Sequence, residues 1–406
     1  MNLHPYSENL DGDNSPAPVE AREEFLPFHL PSIDDDDVAA VVEVLKSGWL
    51  TTGIKAHQFE QRFADFVGAK HAVAVNSATA ALHIALEAIG VGPGDEVLVP
   101  TMTFAASAEV VLYRGARPVL VDCDADTLNI DPAQIERKIT PRTKALMPVH
   151  MAGQPCEMES IQSLARAHGL KVIEDAAHAL PARDGARPIG AIGDISCFSF
   201  YATKTITTGE GGMATTNNVE WANKMRVLSL HGISHDAWNR YSAEGSWYYE
   251  ILYPGYKYNL TDMAAALGLS QLQKCRSFWA ARRRISAAYS RAFADIPEIR
   301  VPVCRPDVEH AWHLYVIQLE LERLRLSRAQ FIAALKDRNI GTSVHFMPLH
   351  LHPYYRSEFN YQPGDCPTAS QVYERIVSLP IYPKMSDGDV GDVIDAVRQI
   401  VAQYRR

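Results

Sequence analysis

The sequence predicts an α/β protein: a large domain built on a mainly parallel sheet, followed by a smaller α+β domain. Three observations point there. Short apolar runs alternate with helical stretches from residue 60 to about 230, the signature of strands laid side by side with helices over both faces. At 406 residues the chain is too long for one small module. Its 47% hydrophobic and 21% charged content supports a large buried core and excludes disorder of the whole chain.

In chain order, residues 1–24 mix Asn, Asp, Glu, Ser and Pro without periodicity, which predicts a mobile arm. The expected large domain occupies 25–270 and the small one 271–406. Pro31 and Ser32 lead into Asp34, Asp35, Asp36 and Asp37, where Ser32 is the expected helix cap and Gly48 the stop. The four acids read as charges at a positive helix start and not as a metal site. Strands are expected at 71–75, 96–100, 118–121, 145–149, 172–174 and 195–200, with helices at 78–89, 105–113, 132–139 and 157–168. Beyond 270, helices at 272–293 and 328–338 flank a strand-like stretch at 313–320. The run Arg282-Arg283-Arg284 reads as a solvated helix face.

Composition narrows the function. Lys plus Arg total 39 against 48 Asp plus Glu, a formal charge of -9, which argues against nucleic-acid binding. The six cysteines (Cys123, Cys156, Cys197, Cys275, Cys304, Cys366) form no C-x-x-C and read as buried thiols of a reducing compartment. His345, His350 and His352 lack regular metal-ligand spacing because Pro348 and Pro353 interrupt it, so no metal is expected. Residues 72–92 are broken by Asn76, Ser77, His83 and Glu87, and no basic stretch precedes an apolar core at the N-terminus. A cytoplasmic chain with no membrane span is expected.

In an open α/β sheet, ligands gather beyond the carboxyl ends of the strands, so reactive residues should follow the apolar runs. Three sets do. Asn76-Ser77-Ala78-Thr79 ends a strand and opens an alanine-rich helix, whose free N–H groups suit a phosphate. Asp175 follows Val172-Ile173-Glu174 and would be a half-buried carboxylate seeking a cation. Lys204 follows Cys197-Phe198-Ser199-Phe200 and precedes the turn Gly209-Glu210-Gly211-Gly212, a setting in which desolvation makes an amine nucleophilic. Each alone also reads as a cap or a surface group. Together they supply a phosphate cradle, an acid for a pyridinium nitrogen and a Schiff-base lysine, the three demands of pyridoxal 5'-phosphate (PLP).

From Gly48 to the C-terminus the chain resembles the DegT/StrS-type sugar aminotransferases, which are fold-type I PLP-dependent enzymes. The blocks that carry the resemblance are Gly48-Trp49-Leu50-Thr51-Thr52-Gly53, 76–82, 174–178, 199–204 with 209–212, and Gly255-Tyr256-Lys257-Tyr258-Asn259-Leu260-Thr261-Asp262. Within the family it is most similar to the enzyme that makes UDP-4-amino-4-deoxy-L-arabinose. The resemblance implies Lys204 as the catalytic Schiff-base lysine, Asp175 on the ring nitrogen and His178 near the phenolic oxygen. It implies Ser77, Ala78, Thr79 and Ser199 on the phosphate and Phe104 stacked on the ring. Asn259 would reach the phosphate of a neighbouring subunit, so a homodimer is implied. The family usually carries glycine where this chain has Ala78, whose N–H is still available. Trp49, Tyr256, Lys257 and His345 are implied near the sugar and its diphosphate, with Arg240 a further candidate. The implied activity is ping-pong transfer of the amino group of L-glutamate, which leaves as 2-oxoglutarate, onto a nucleotide-linked keto sugar at C4. Alternatives are C3 amination of a dTDP-keto sugar, a PLP-dependent sugar dehydratase, or a non-catalytic PLP-binding regulator. The known dehydratases of this kind carry histidine in place of the lysine, and a regulator asks for an added DNA-binding segment that the acidic arm does not supply.

Overall fold

The computed structural model describes residues 22–234 and 248–406. Residues 1–21 of the expected arm, and Arg240, lie outside the described residues. The first helices are α1 (Asp35–Ser47) and α2 (Ile54–Val67). Asp34, not Ser32, caps α1: its carboxylate accepts from the Asp37 N–H while the Asp37 carboxylate accepts from the Asp34 N–H. A cap must stand immediately before the first turn, and Ser32 lies two residues too early. Gly48, at φ 77, ends the helix as expected.

A repeating succession follows: β1 (His71–Val75), α3 (Ala78–Ala88), β2 (Glu96–Pro100), α4 (Ala106–Tyr113), β3 (Arg117–Val121), α5 (Pro132–Lys138), β4 (Thr143–Leu146), α6 (Met158–His168) and β5 (Lys171–Asp175). The ribbon β6 (Arg183–Asp184) and β7 (Arg187–Pro188) precedes β8 (Ile195–Ser199), β9 (Gly212–Thr216) and α7 (Val219–Ser229). Seven of these strands form one sheet in the order β1-β9-β8-β5-β4-β2-β3. Every neighbouring pair is parallel except those of β9, which runs against both β1 and β8. β9 was absent from the expected strands because Gly-Met-Ala-Thr-Thr has no bulky apolar run, yet it is buried throughout.

Alternate strand residues feed two apolar clusters, one on each sheet face. Ala72, Leu98, Val172 and Phe198 join Phe59 and Phe63 of α2 and Ile161 of α6. Val73, Val97, Ile173 and Cys197 join Leu82 of α3, Val110 of α4 and Leu228 of α7. This two-sided burial is what the near-continuous apolar runs required.

The long helix α8 (Asp262–Phe293) passes residue 270 without a break. After it come β10 (Ile299–Arg300), β11 (Val308–Glu309), β12 (Tyr315–Leu319), α9 (Arg328–Lys336), α10 (Pro353–Phe359), α11 (Pro367–Tyr373), β13 (Ile376–Leu379) and α12 (Asp387–Tyr404). Strands β10, β12 and β13 form an antiparallel sheet over a cluster that includes Tyr289, Phe331 and Val397. The expected solvated arginine run is corrected here. Arg283 and Arg284 are exposed, but Arg282 is only 1% exposed. Successive helical side chains point about 100° apart, so a charged run cannot keep one face. Among the described residues no helix is long and apolar enough to cross a membrane.

Candidate active site

Strands β1, β5 and β8 run in one direction and end on the same side of the sheet, and β9 begins there because it runs the other way. Beyond those ends lies a cavity of about 490 Å³, a size suited to one cofactor and part of a substrate. Ser77, Ala78, Thr79, Phe104, Asp175, His178, Ser199, Lys204 and His345 all line it. Residues far apart in sequence therefore converge as expected.

The expected phosphate cradle falls at the start of α3. Ser77 caps the helix, its hydroxyl accepting from the Ala80 N–H at 3.1 Å. The first two helical N–H groups, of Ala78 and Thr79, have no acceptor among the described residues, which leaves donors and the positive helix end for an anion. Gly212 makes this possible. A Cβ there would lie 2.4 Å from the Ser77 carbonyl group and 2.6 Å from the Ala78 nitrogen, so only glycine lets β9 lie against the helix start.

Asp175 is buried at the end of β5. Its Oδ2 accepts from the Ser107 hydroxyl at 2.7 Å and its Oδ1 from the Ala177 N–H at 3.1 Å. Thr103 Oγ1 lies 2.8 Å from Ser107 Oγ and extends the chain of hydroxyls. Burial pushes the Asp175 carboxyl up, against those hydrogen bonds and the charge of Lys204. Such a carboxylate gains from a cationic partner. Its neighbour Glu174 points to the other face, taking hydrogen bonds from Ser196 Oγ at 2.6 Å and the Gly193 N–H at 2.7 Å. His150 Nδ1 accepts from the Cys156 N–H at 3.0 Å, so its Nε2 carries the proton toward Glu174 at 2.9 Å.

Burial lowers the Lys204 amine from 10.5 to about 8, with the Asp175 charge opposing and that of Arg282 adding. Burial also holds His178 and His313 well below their ordinary value, with the Lys204 charge contributing, so both rings are neutral at pH 7. Their centroids are 4.4 Å apart, and the Nδ1 atoms of both are buried with no hydrogen-bond partner among the described residues. His345, lowered to about 4 by burial and then by Lys204, has its Nδ1 2.9 Å from Ser378 Oγ. Phe104, 63% exposed, stands 6.0 Å from the Phe346 ring in the cavity wall.

These groups fit PLP. Open helix N–H groups match its phosphate, a buried carboxylate its ring nitrogen, a buried amine of lowered basicity its aldehyde, and an unpartnered imidazole nitrogen a polar ring substituent.

Four expected site residues lie off this cavity. Asn259 bonds Thr52 through its side chain at 2.7 Å, and Trp49 donates to the Thr52 carbonyl at 3.2 Å. Tyr256 donates to Glu87 at 2.7 Å, and Lys257 is exposed. Conversely, Phe28, His29, Tyr201, Glu210, His313 and Phe346 line the cavity without having been singled out. Glu210 belongs to the glycine turn and could have been found from it. Tyr201 lies within the 199–204 block and could have been found there; the rest carried no local signal.

The DegT/DnrJ/EryC1/StrS aminotransferase family matches residues 31–398. The chain is 54% identical over 384 residues to the spore coat polysaccharide biosynthesis protein SpsC of Bacillus subtilis, covering 94% of this chain and 99% of that protein. Among solved structures it is similar to Spr1654 of Streptococcus pneumoniae, assigned as a sugar aminotransferase. In its PLP form that protein is 34% identical with a TM-score of 0.86, covering 93% of this chain and 99% of the other. A structure of its PMP form matches equally well, with a TM-score of 0.87. Helicobacter pylori PseC, an aminotransferase involved in the biosynthesis of pseudoaminic acid, is 31% identical with a TM-score of 0.86, over 94% of this chain and 100% of that one.

Proposed function

This chain belongs to the DegT/DnrJ/EryC1/StrS aminotransferase family and is a PLP-dependent sugar aminotransferase; from that premise we propose that it transfers the amino group of L-glutamate to the C4 keto group of a nucleotide-linked sugar. The observation that carries this reading is the buried amine of Lys204, lowered to about 8, in one cavity with Asp175 and the open N–H groups of α3. Similarity to PseC supports a sugar acceptor, and similarity to a spore coat polysaccharide biosynthesis protein supports one destined for a polysaccharide.

The residues divide the work. Ser77, Ala78, Thr79 and Ser199 hold the cofactor's phosphate at the start of α3, and Phe104 covers one ring face. Asp175 accepts a hydrogen bond from the protonated ring nitrogen, and Ser107 keeps the carboxylate aimed. His178, neutral, offers a ring nitrogen to the phenolic oxygen. When bound, PLP supplies an aldehyde carbon that takes up the donor's amine and a ring that draws off the electron pair left by loss of a proton. Lys204 moves that proton at Nζ. An amine titrating near 8 is partly unprotonated at neutral pH, so Nζ can take a proton from the glutamate α-carbon and later return one to the carbon of the sugar that receives the amine. Water would supply the keto oxygen of 2-oxoglutarate, which leaves while the nitrogen stays with the bound cofactor; the keto sugar then enters, and the same Nζ serves the second half-reaction.

The working unit is a homodimer. Asn259, Trp49, Tyr256 and Lys257 lie off their own cavity, and the nearby Ile251, Leu252 and Tyr253 are exposed. In a dimer this face completes the partner's site, Asn259 on the phosphate and Tyr256, Lys257 and Trp49 toward the nucleotide sugar, with Arg240 joining them on the diphosphate. His345 contacts the sugar from within its own chain.

The test offers PLP-loaded protein glutamate and a panel of 4-keto and 3-keto nucleotide sugars, with NMR locating the new amine. A C4 amine is expected. Amination only at C3 overturns the proposed position, and conversion of glutamate without any aminated sugar overturns the acceptor class.

A further inference from the structure

Residues 22–34 play no part in the chemistry above, yet this strap before α1 brings Phe28 and His29 into the cavity wall. The strap is anchored at Leu26, whose N–H donates to the Asn339 carbonyl at 2.7 Å and whose carbonyl accepts from the Gly341 N–H at 2.8 Å. Phe28 then stacks on His345 at 5.4 Å, and His29 meets Tyr382 edge-on at 5.7 Å.

From this strap the Nε2 of His29 lies 3.1 Å from the carbonyl of Ala202, on the loop that carries Lys204. A carbonyl only accepts, so the proton sits on Nε2. Burial, with Arg282 and Lys204 adding, lowers the ring to about 3, which keeps it neutral with that single donor at neutral pH. A second attachment reaches the other side of the loop. Gln271 of α8, only 1% exposed, donates to the Ser32 carbonyl at 2.8 Å and to Asp37 Oδ2 at 2.7 Å. Its Oε1 accepts from the Thr207 N–H at 3.3 Å. Asp37 is itself 1% exposed, and Lys274 lies 2.8 Å from its Oδ1. Burying an amide and a carboxylate is costly, and here the three bonds of the Gln271 amide tie the strap, the start of α1 and the lysine loop to α8.

We propose that the strap of residues 26–34, with the first turn of α1, is a clamp that positions Lys204, with His29 of the strap and Gln271 of α8 as the positioning residues on either side of that lysine. The clamp rests on the reading of Lys204 as the reactive amine. Its effect is orientation: proton transfer at Nζ needs the loop held to a fraction of an ångström, and a loop tied at Ala202 and Thr207 has little freedom between them.

The chemistry of His29 permits a clean test. In His29→Gln the amide nitrogen stands near the place of Nε2 and can still donate to Ala202, whereas in His29→Asn it stands near Nδ1 and cannot reach. Hydrogen exchange of residues 199–208, read by mass spectrometry on cofactor-free protein, should rise about five- to tenfold in His29→Ala and His29→Asn, and stay within about twofold of wild type in His29→Gln. In the PLP-loaded protein the glutamate half-reaction should slow about tenfold in Ala and Asn with its KM nearly constant, and recover most of its rate in Gln. Equal exchange in all four proteins, or Gln behaving like Ala, overturns the clamp. Borohydride trapping followed by peptide mapping separates the two claims: cofactor trapped on a lysine other than Lys204 sinks the catalytic reading, while unchanged exchange sinks the clamp alone.

Discussion

Replacing Lys204 by Met removes a buried amine while keeping most of the volume of its stem, and the cofactor-free protein should become more stable for it. Burial lowers the folded-state amine from 10.5 to about 8. Unfolding restores the higher value. Between those two pH values the unfolded chain binds a proton that the folded chain does not, so stability falls as pH drops from 10.5 to 8. Below that window the loss is complete. At about 1.4 kcal/mol per pH unit the full penalty is about 3 kcal/mol. Urea unfolding of cofactor-free wild type and Lys204→Met should therefore differ by up to about 3 kcal/mol in favour of Met at about pH 7, and the gap should close by about pH 10.5. Equal stability at neutral pH, or a gap that persists in alkali, would refute a desolvated amine at this position. The same substitution should abolish turnover, which sets stability and chemistry against each other at one side chain.

Three further outcomes are expected. Gly212→Ala forces a Cβ to within 2.4 Å of the Ser77 carbonyl group; PLP affinity should fall at least about tenfold by absorbance titration, and a normal titration would show that β9 can give way. Ser107→Ala deprives Asp175 Oδ2 of its 2.7 Å hydroxyl donor, so PLP should bind about five- to tenfold more weakly, which the same titration reads. Arg282→Ala leaves the carbonyls of Trp312, His313 and Ile381 without the Nη1 donor they share; denaturant unfolding should show a loss of about 3 kcal/mol, and a loss under about 1 kcal/mol would mean that water replaces the guanidinium.

What the sequence made legible was local. Ser77, Asp175 and Lys204 each lie within four residues of the end of an apolar run, and strand direction alone brings the ends of β1, β5 and β8 to one side of the sheet. β9 was not legible because Gly212, Ala214 and the threonines carry no bulky apolar signal; burial there comes from the neighbours β1 and β8. Ser32 looked like a cap by residue type, but the choice between Ser32 and Asp34 depends on where the first turn begins, and Lys274 at 2.5 Å from Asp34 and 2.8 Å from Asp37 favours a start at the acids. Arg282 read as solvated because it stands in a charged run, although three carbonyls from other segments enclose it. His29 and His313 reach the cavity from segments far apart in the chain, a convergence that only tertiary packing produces.

The central claim is that one buried lysine passes the nitrogen of glutamate to C4 of a nucleotide-linked keto sugar in two separate steps. The most direct measurement treats PLP-loaded protein with nitrogen-15 glutamate, removes all free amino acid, and then adds a 4-keto nucleotide sugar. The expected result is one equivalent of 2-oxoglutarate from the first step and nitrogen-15 bonded to C4 of the sugar after the second. Label that never reaches a sugar, or that reaches it only while free glutamate is present, would contradict the claim.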